Sequence, residues 1–247
     1  MKRSNLIILI LILLIPTGLL MHNLALRAEF KNVKAQPEST YEGEQRYRRK
    51  LPVYNHIVLE GGVRLKGGRR KKVSIYNVEA QVWVGNVTEP ELEFRADMKP
   101  FLKTEVRNDT LFCSFEADNF RDWRSVVRSY RELSIKVPKI ASIQADSLHL
   151  NIFQLAQHGP VNLQFLQLGV ANISYVDVPR LNLKSNAMYM HISGGKMDTL
   201  QYELGDQASL AVSKGVVIGK KEMVKVGKHS SFNISGIIAD SAMVKGK

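Results

Sequence analysis

Apolar and polar residues alternate with a period of two over most of the chain beyond residue 56. Ile57-Val58-Leu59, Val73-Ser74-Ile75, Gln81-Val82-Trp83-Val84, Leu111-Phe112-Cys113-Ser114-Phe115 and Leu133-Ser134-Ile135-Lys136-Val137 all carry it, each bounded by Gly, Pro, Asn or Asp. Successive side chains of a strand point to opposite faces, so this pattern predicts half-buried β-strands. One segment departs from it. Phe120, Trp123, Val126, Val127 and Tyr130 recur at helical spacing behind Asp118-Asn119, residue types that cap the free N–H groups of a first helical turn. The spacing predicts a single short helix over 119–130.

After residue 138 the alternation acquires a longer period. An aliphatic residue followed by serine occurs at Ile173-Ser174, Ile192-Ser193, Val212-Ser213 and Ile234-Ser235, in steps of 19, 20 and 22 residues. Asn151-Ile152 stands 21 residues before Asn172-Ile173, with Phe153 in place of the serine. A second track runs through Ile143, Leu163, Leu181 and Leu200, in steps of 20, 18 and 19. Two tracks with one period signal a stack of similar turns. The Leu-x-x-Leu-x-Leu pattern of leucine-rich repeats is absent. The expected fold is therefore all-β: a single-stranded parallel β-helix of about 20 residues per turn over 138–237, followed by a tail over 238–247. Ile152, Ile173, Ile192, Val212 and Ile234 would form an internal column, with Asn151, Asn172, His191, Ala211 and Asn233 outside. A β-rich region over 51–137, including the helix, would cap one end of the stack.

The first 50 residues add location to this picture. A short positive start over 1–5 precedes the apolar run Leu6 to Met21, which Leu24-Ala25-Leu26 extends to a length adequate to cross a bilayer. A cleavable leader ends in small-x-small, whereas the best site here, Leu26-Arg27-Ala28, has a large residue and a charge. The run over 6–26 therefore reads as an uncleaved transmembrane signal anchor, with the body held outside the cytoplasm. Secretion or a periplasmic location after cleavage is the alternative. Residues 27–50 lack apolar periodicity and read as a basic linker or stalk. The net charge of +12 is concentrated next to the leader: residues 27–72 hold 13 Lys+Arg against 5 Asp+Glu, and residues 73–247 hold 20 against 18. Cations beside a bilayer attract anionic headgroups, while a nucleic-acid-binding domain concentrates its charge on the folded body. The expected partner is thus the lipid bilayer, through the N-terminal helix, and not nucleic acid.

The segments Tyr54-Asn55-His56-Ile57-Val58-Leu59-Glu60-Gly61-Gly62, Leu102 to Leu111 and Ile135-Lys136-Val137-Pro138-Lys139-Ile140-Ala141-Ser142-Ile143 resemble, behind such a leader, the auto-transporter adhesin head GIN domain family. The resemblance covers about residues 51–237 and implies a β-helical bacterial envelope protein, its body on the periplasmic side of the inner membrane, with envelope glycans or other envelope proteins as expected partners. It implies no activity and no functional residue. The family's turns are richer in glycine than those here, and the stretch Tyr76 to Pro90 reads as an insertion against its pattern.

Motifs for chemistry are sparse. The one cysteine, Cys113, excludes an intramolecular disulfide or a Cys-built metal site and alternates with apolar residues as a buried thiol does. The six histidines show no metal-ligand spacing, Gly215 to Lys221 departs from a phosphate loop, and no Gly-x-Ser-x-Gly elbow is present. Asp146, Asp177, Asp198, Glu203 and Asp206 fall at different phases of the repeat, so no carboxylate column is expected; Asp198 and Glu203 are the nearest to a pair. No catalytic, cofactor or metal residue is assigned. Tyr175, Tyr189 and Tyr202 are the residues that could face a ligand, as a sugar-stacking stripe. The expected function is a non-catalytic interaction, scaffolding or adhesin-like role in the cell envelope, with binding or processing of envelope polysaccharide as the alternative.

Overall fold

The computed structural model describes residues 46–65, 72–73, 78–85, 87–118, 131–167, 169–235 and 237–238. The helix expected over 119–130, the apolar run over 6–26, most of the stalk and the end of the tail lie outside them. No helix among the described residues is long and apolar enough to cross a membrane. The described chain is all-β, its one helical element being the 3-10 turn Ala96–Met98.

Among the described residues seventeen strands form one continuous sheet around an aliphatic core. The described strands beyond residue 141 pair with one another only in parallel, with partners about one repeat apart. His149–Ala156, Val170–Ser185 and Tyr189–Leu204 stack in register, so Ile152 lies against Ile173 and Ile173 against Ile192. Ser209–Val212 and Ser231–Ile234 continue this first face, with Val212 against Ile192 and Ile234 against Val212. A second face joins Leu155 to Val176, Val176 to Gly195, and Gly195 to Val216. A third joins Ser142–Asp146, Val161–Phe165, Arg180 to Ser185, Thr199 to Leu204, and Lys220 to Val226. Burial of alternate side chains follows the pairing: Leu150, Ile152, Ile173, Met190, Ile192, Leu210 and Val212 are all inside. Each such side chain contributes about 1.5–3 kcal/mol of hydrophobic free energy on burial.

Two sequence expectations need correction. The second track does not hold one phase: Leu163 stacks on Leu183, not Leu181, and Leu181 stacks on Val161. Both Leu181 and Leu183 point inward, so either fits an apolar column. The stretch taken for an insertion contains Val78–Val84, which is a full rung of the first face, lying parallel between Arg131–Val137 and His149–Ala156. Likewise His56–Leu65 is a rung of the third face, between Thr110–Ala117 and Ser142–Asp146. The turn containing Val78–Val84 thus sits between neighbours contributed by later parts of the chain. Beyond Arg131–Val137 the sheet turns antiparallel through Glu91–Arg95 and ends in Arg46–Lys50. Those last five residues of the expected stalk are therefore an edge strand.

Candidate functional site

Outward-facing positions of the stacked strands carry rungs of polar side chains joined to each other. On the first face the Asn172 Nδ2 donates to Asn151 Oδ1 at 2.9 Å, and the Asn151 amide donates to Glu79. His191 Nε2 and Ser213 Oγ share a hydrogen bond of 2.6 Å, and the Ser231 hydroxyl donates to that of Ser209 at 2.7 Å. On the third face Asn182 Nδ2 donates to Asn162 Oδ1 at 2.8 Å, and Lys184 pairs with Glu203 at 3.2 Å. A shallow groove of about 410 Å³ runs over this face, lined by Gln144, Asn162, Gln164, Asn182, Lys184 and Gln201. In-register pairing of like residues on neighbouring strands fixes these side chains in rows one strand apart, about 4.8 Å.

The first face also carries aromatic groups. Trp83 and Phe153, opposite each other on adjacent strands, stack with ring centroids 4.3 Å apart; both are half-buried. Ser174 and then Ser193 continue the same row. Directly after this row the chain bends onto the second face. At that corner Gln154, Tyr175 and Gly194, aligned on successive turns, all take left-handed backbone, with φ of 53°, 62° and 75°. Glycine does so freely. A tyrosine there costs roughly 1–2 kcal/mol, because its Cβ crowds the following carbonyl. The Tyr175 side chain nevertheless stands 52% exposed, beside a hollow of about 440 Å³ lined by Val84, Gly85, Gln154 and Ala156.

The three tyrosines singled out from the sequence do not form one stripe. Tyr175 and Tyr189 are exposed, and Tyr189 packs its ring 6.4 Å from that of His191. Tyr202 is 2% exposed and stacks on Phe232 at 4.4 Å, in the lining of the third-face groove and not on the first face. It sits in phase with inward-pointing Leu200 and Leu204, a signal already in the sequence, and burial raises its phenol pKa. The Trp83–Phe153 pair was not visible from sequence, because it depends on knowing that Val78–Val84 stacks on His149–Ala156.

Several of the titratable groups singled out from the sequence are engaged or buried. Glu203 is held by Lys184, so Asp198 and Glu203 are not a free carboxylate pair. His56 Nδ1 shares a 2.7 Å hydrogen bond with Ser142 Oγ. Cys113 is buried, and desolvation pushes its thiol up to about 12, leaving it almost wholly protonated at neutral pH. Among the described residues, no three of His, Cys, Asp and Glu converge as a metal site requires. The arrangement suits contact with a hydroxyl- and amide-bearing surface: fixed donors and acceptors in rows, with aromatic groups at one margin.

No family model matches the chain, and no curated protein matches it. Among solved structures it is similar to a "putative adhesin" from Parabacteroides merdae, at 11% identity and a TM-score of 0.41, over 77% of this chain and 80% of that one. A "putative adhesin" from Bacteroides fragilis matches at 13% identity and a TM-score of 0.37, over 78% and 98% of the two chains. A "putative lipid binding protein" from Parabacteroides distasonis matches at 11% and 0.37, over 78% and 95%.

Proposed function

We propose that this chain is a non-catalytic binding protein of the bacterial cell envelope. In this reading the segment over 6–26 anchors it in the inner membrane, and the body stands on the periplasmic side. The stacked turns close into a single-stranded parallel β-helix of the GIN-domain type, whose outer faces meet envelope polymers or envelope proteins. The observation that carries the reading is the pair of polar ladders, Asn151 to Asn172 on one face and Asn162 to Asn182 on another. A repeat stack keeps such rows in fixed positions over a long surface, which suits binding of an extended partner.

The test is co-sedimentation of the detergent-solubilised full chain with isolated peptidoglycan sacculi and with outer-membrane vesicles. Saturable retention that survives moderate salt, and that falls when Asn172→Lys and Asn182→Lys are combined, is the expected result. No retention on either preparation would remove the reading.

A second reading, binding of carbohydrate in particular, is favoured by the aromatic groups on the first face. Exposed Tyr175 and Tyr189 and the half-exposed Trp83–Phe153 pair offer flat apolar surfaces beside hydroxyls and amides. Sugars present that same mixture of apolar face and polar rim.

A further inference from the structure

We propose that the corner around Tyr175 is a binding site for a neutral glycan, with one pyranose ring laid against the tyrosine ring. This rests on the carbohydrate reading and assigns its site. The corner calls only for a residue that accepts left-handed backbone, as Gly194 does one turn later. Tyrosine is a poor choice for that backbone, and its side chain is not buried in return: it is 52% exposed. Strain retained without a packing reward points to a role for the side chain itself.

Size and charge define the ligand. The hollow beside the ring, about 440 Å³, falls within the range of small-ligand pockets. Val84, Gly85, Gln154, Ala156 and Tyr175 line it, and none is charged. On the adjoining strand Asp177 lies against Ala156 and is paired with Lys196 at 3.7 Å, and Lys136 stands beyond Trp83 at the far end of the aromatic row. The lining of the hollow itself thus offers an ionic ligand no counter-charge, whereas a neutral sugar needs none. Its C–H face covers the tyrosine ring, and the Gln154 amide, both donor and acceptor, meets its hydroxyls. Further units run along the stack over Phe153 and Trp83, one strand spacing per turn.

The experiment titrates the detergent-solubilised full chain with cellohexaose, laminarihexaose and mannohexaose, using an acidic oligogalacturonate as control. Binding is read by saturation-transfer NMR and calorimetry. The decisive variant is Tyr175→Gly, with Tyr175→Phe as a conservative partner. The wild type should bind at least one neutral oligosaccharide with little salt dependence. Tyr175→Gly should weaken that binding about tenfold or more, some 1.4 kcal/mol, while its melting temperature stays level or rises, because glycine accepts the corner. Tyr175→Phe should keep most of the affinity. Neutral-sugar binding unchanged in Tyr175→Gly would overturn this site and leave the carbohydrate reading standing. No binding to any neutral oligosaccharide would overturn both, and binding to the acidic control alone, abolished by salt, would overturn the proposal for neutral ligands.

Discussion

Single residues set the geometry of the turns, and two adjacent glycines show how sharply. Gly194 and Gly195 both have positive φ, 75° and 98°. A Cβ on Gly194 would meet open space, whereas one on Gly195 would collide with the Val176 carbonyl on the preceding turn. Gly194→Ala should thus cost only the left-handed penalty, about 1–2 kcal/mol. Gly195→Ala should cost more than that, since the backbone must also move; chemical denaturation of the two variants checks the order. Buried acids give a second prediction at this scale. Burial pushes Cys113 up to about 12 from 9.0. Burial, and then the neighbouring Cys113, raises Tyr54 as well. An unfolded chain ionises these groups at lower pH than the folded one. Their contribution is therefore complete below pH 9 and is lost as pH rises from 9 toward 12, by up to about 1.4 kcal/mol per pH unit for each ionising group. Denaturation at pH 8 and pH 10.5 should show the decline, and a thiol reagent at pH 8 should label Cys113 only after unfolding.

At the scale of strands, the aliphatic column and the polar rungs play unequal parts. Ile192 is fully buried between Ile173 and Val212, so Ile192→Ala should destabilise by about 2–5 kcal/mol. Asn172→Ala, which loses one half-exposed hydrogen bond, should cost about 1 kcal/mol. The edge strand Arg46–Lys50 obeys different physics. Three of its four cations are ion-paired: Arg46 with Glu93 and Glu132, Arg48 with Glu93, Lys50 with Glu89. Burial alone would raise the Glu93 carboxyl, but hydrogen bonds and charge from Arg46 and Arg48 outweigh it and hold the group below its usual 4.5. A depressed acid stabilises above its unfolded pKa and loses that contribution as pH falls. Hydrogen exchange should consequently show Arg46–Lys50 loosening below about pH 4.5, before the core strands, and Glu93→Gln should flatten that response. Cationic edge strands also discourage pairing with another sheet.

At the scale of the molecule, local alternation and the repeat were legible because both depend on residues near one another in sequence. Asn151-Ile152 and Asn172-Ile173 are one step apart in the period and lie in register. The second track slipped where Val161 and Leu163, or Leu181 and Leu183, offer two inward apolar positions on one strand; a shift of two residues keeps every side chain on its proper face. The place of Val78–Val84 was illegible for a different reason. Its neighbours come from residues 131–137 and 149–153, so no short-range pattern marks it as a rung, and the Trp83–Phe153 pair was hidden with it. The strain at Tyr175 was equally hidden, since only the alignment of Gln154, Tyr175 and Gly194 at one corner exposes it.

We propose an envelope protein anchored through residues 6–26 with its body outside the cytoplasm. The most direct test expresses the full chain in a Gram-negative host and follows it by protease accessibility. The account predicts that the chain resists alkaline extraction from the inner-membrane fraction, and that its body is shielded in intact cells but digested in spheroplasts. A body still protected in spheroplasts and digested only after lysis, or a chain recovered in the soluble cytoplasm, would contradict it.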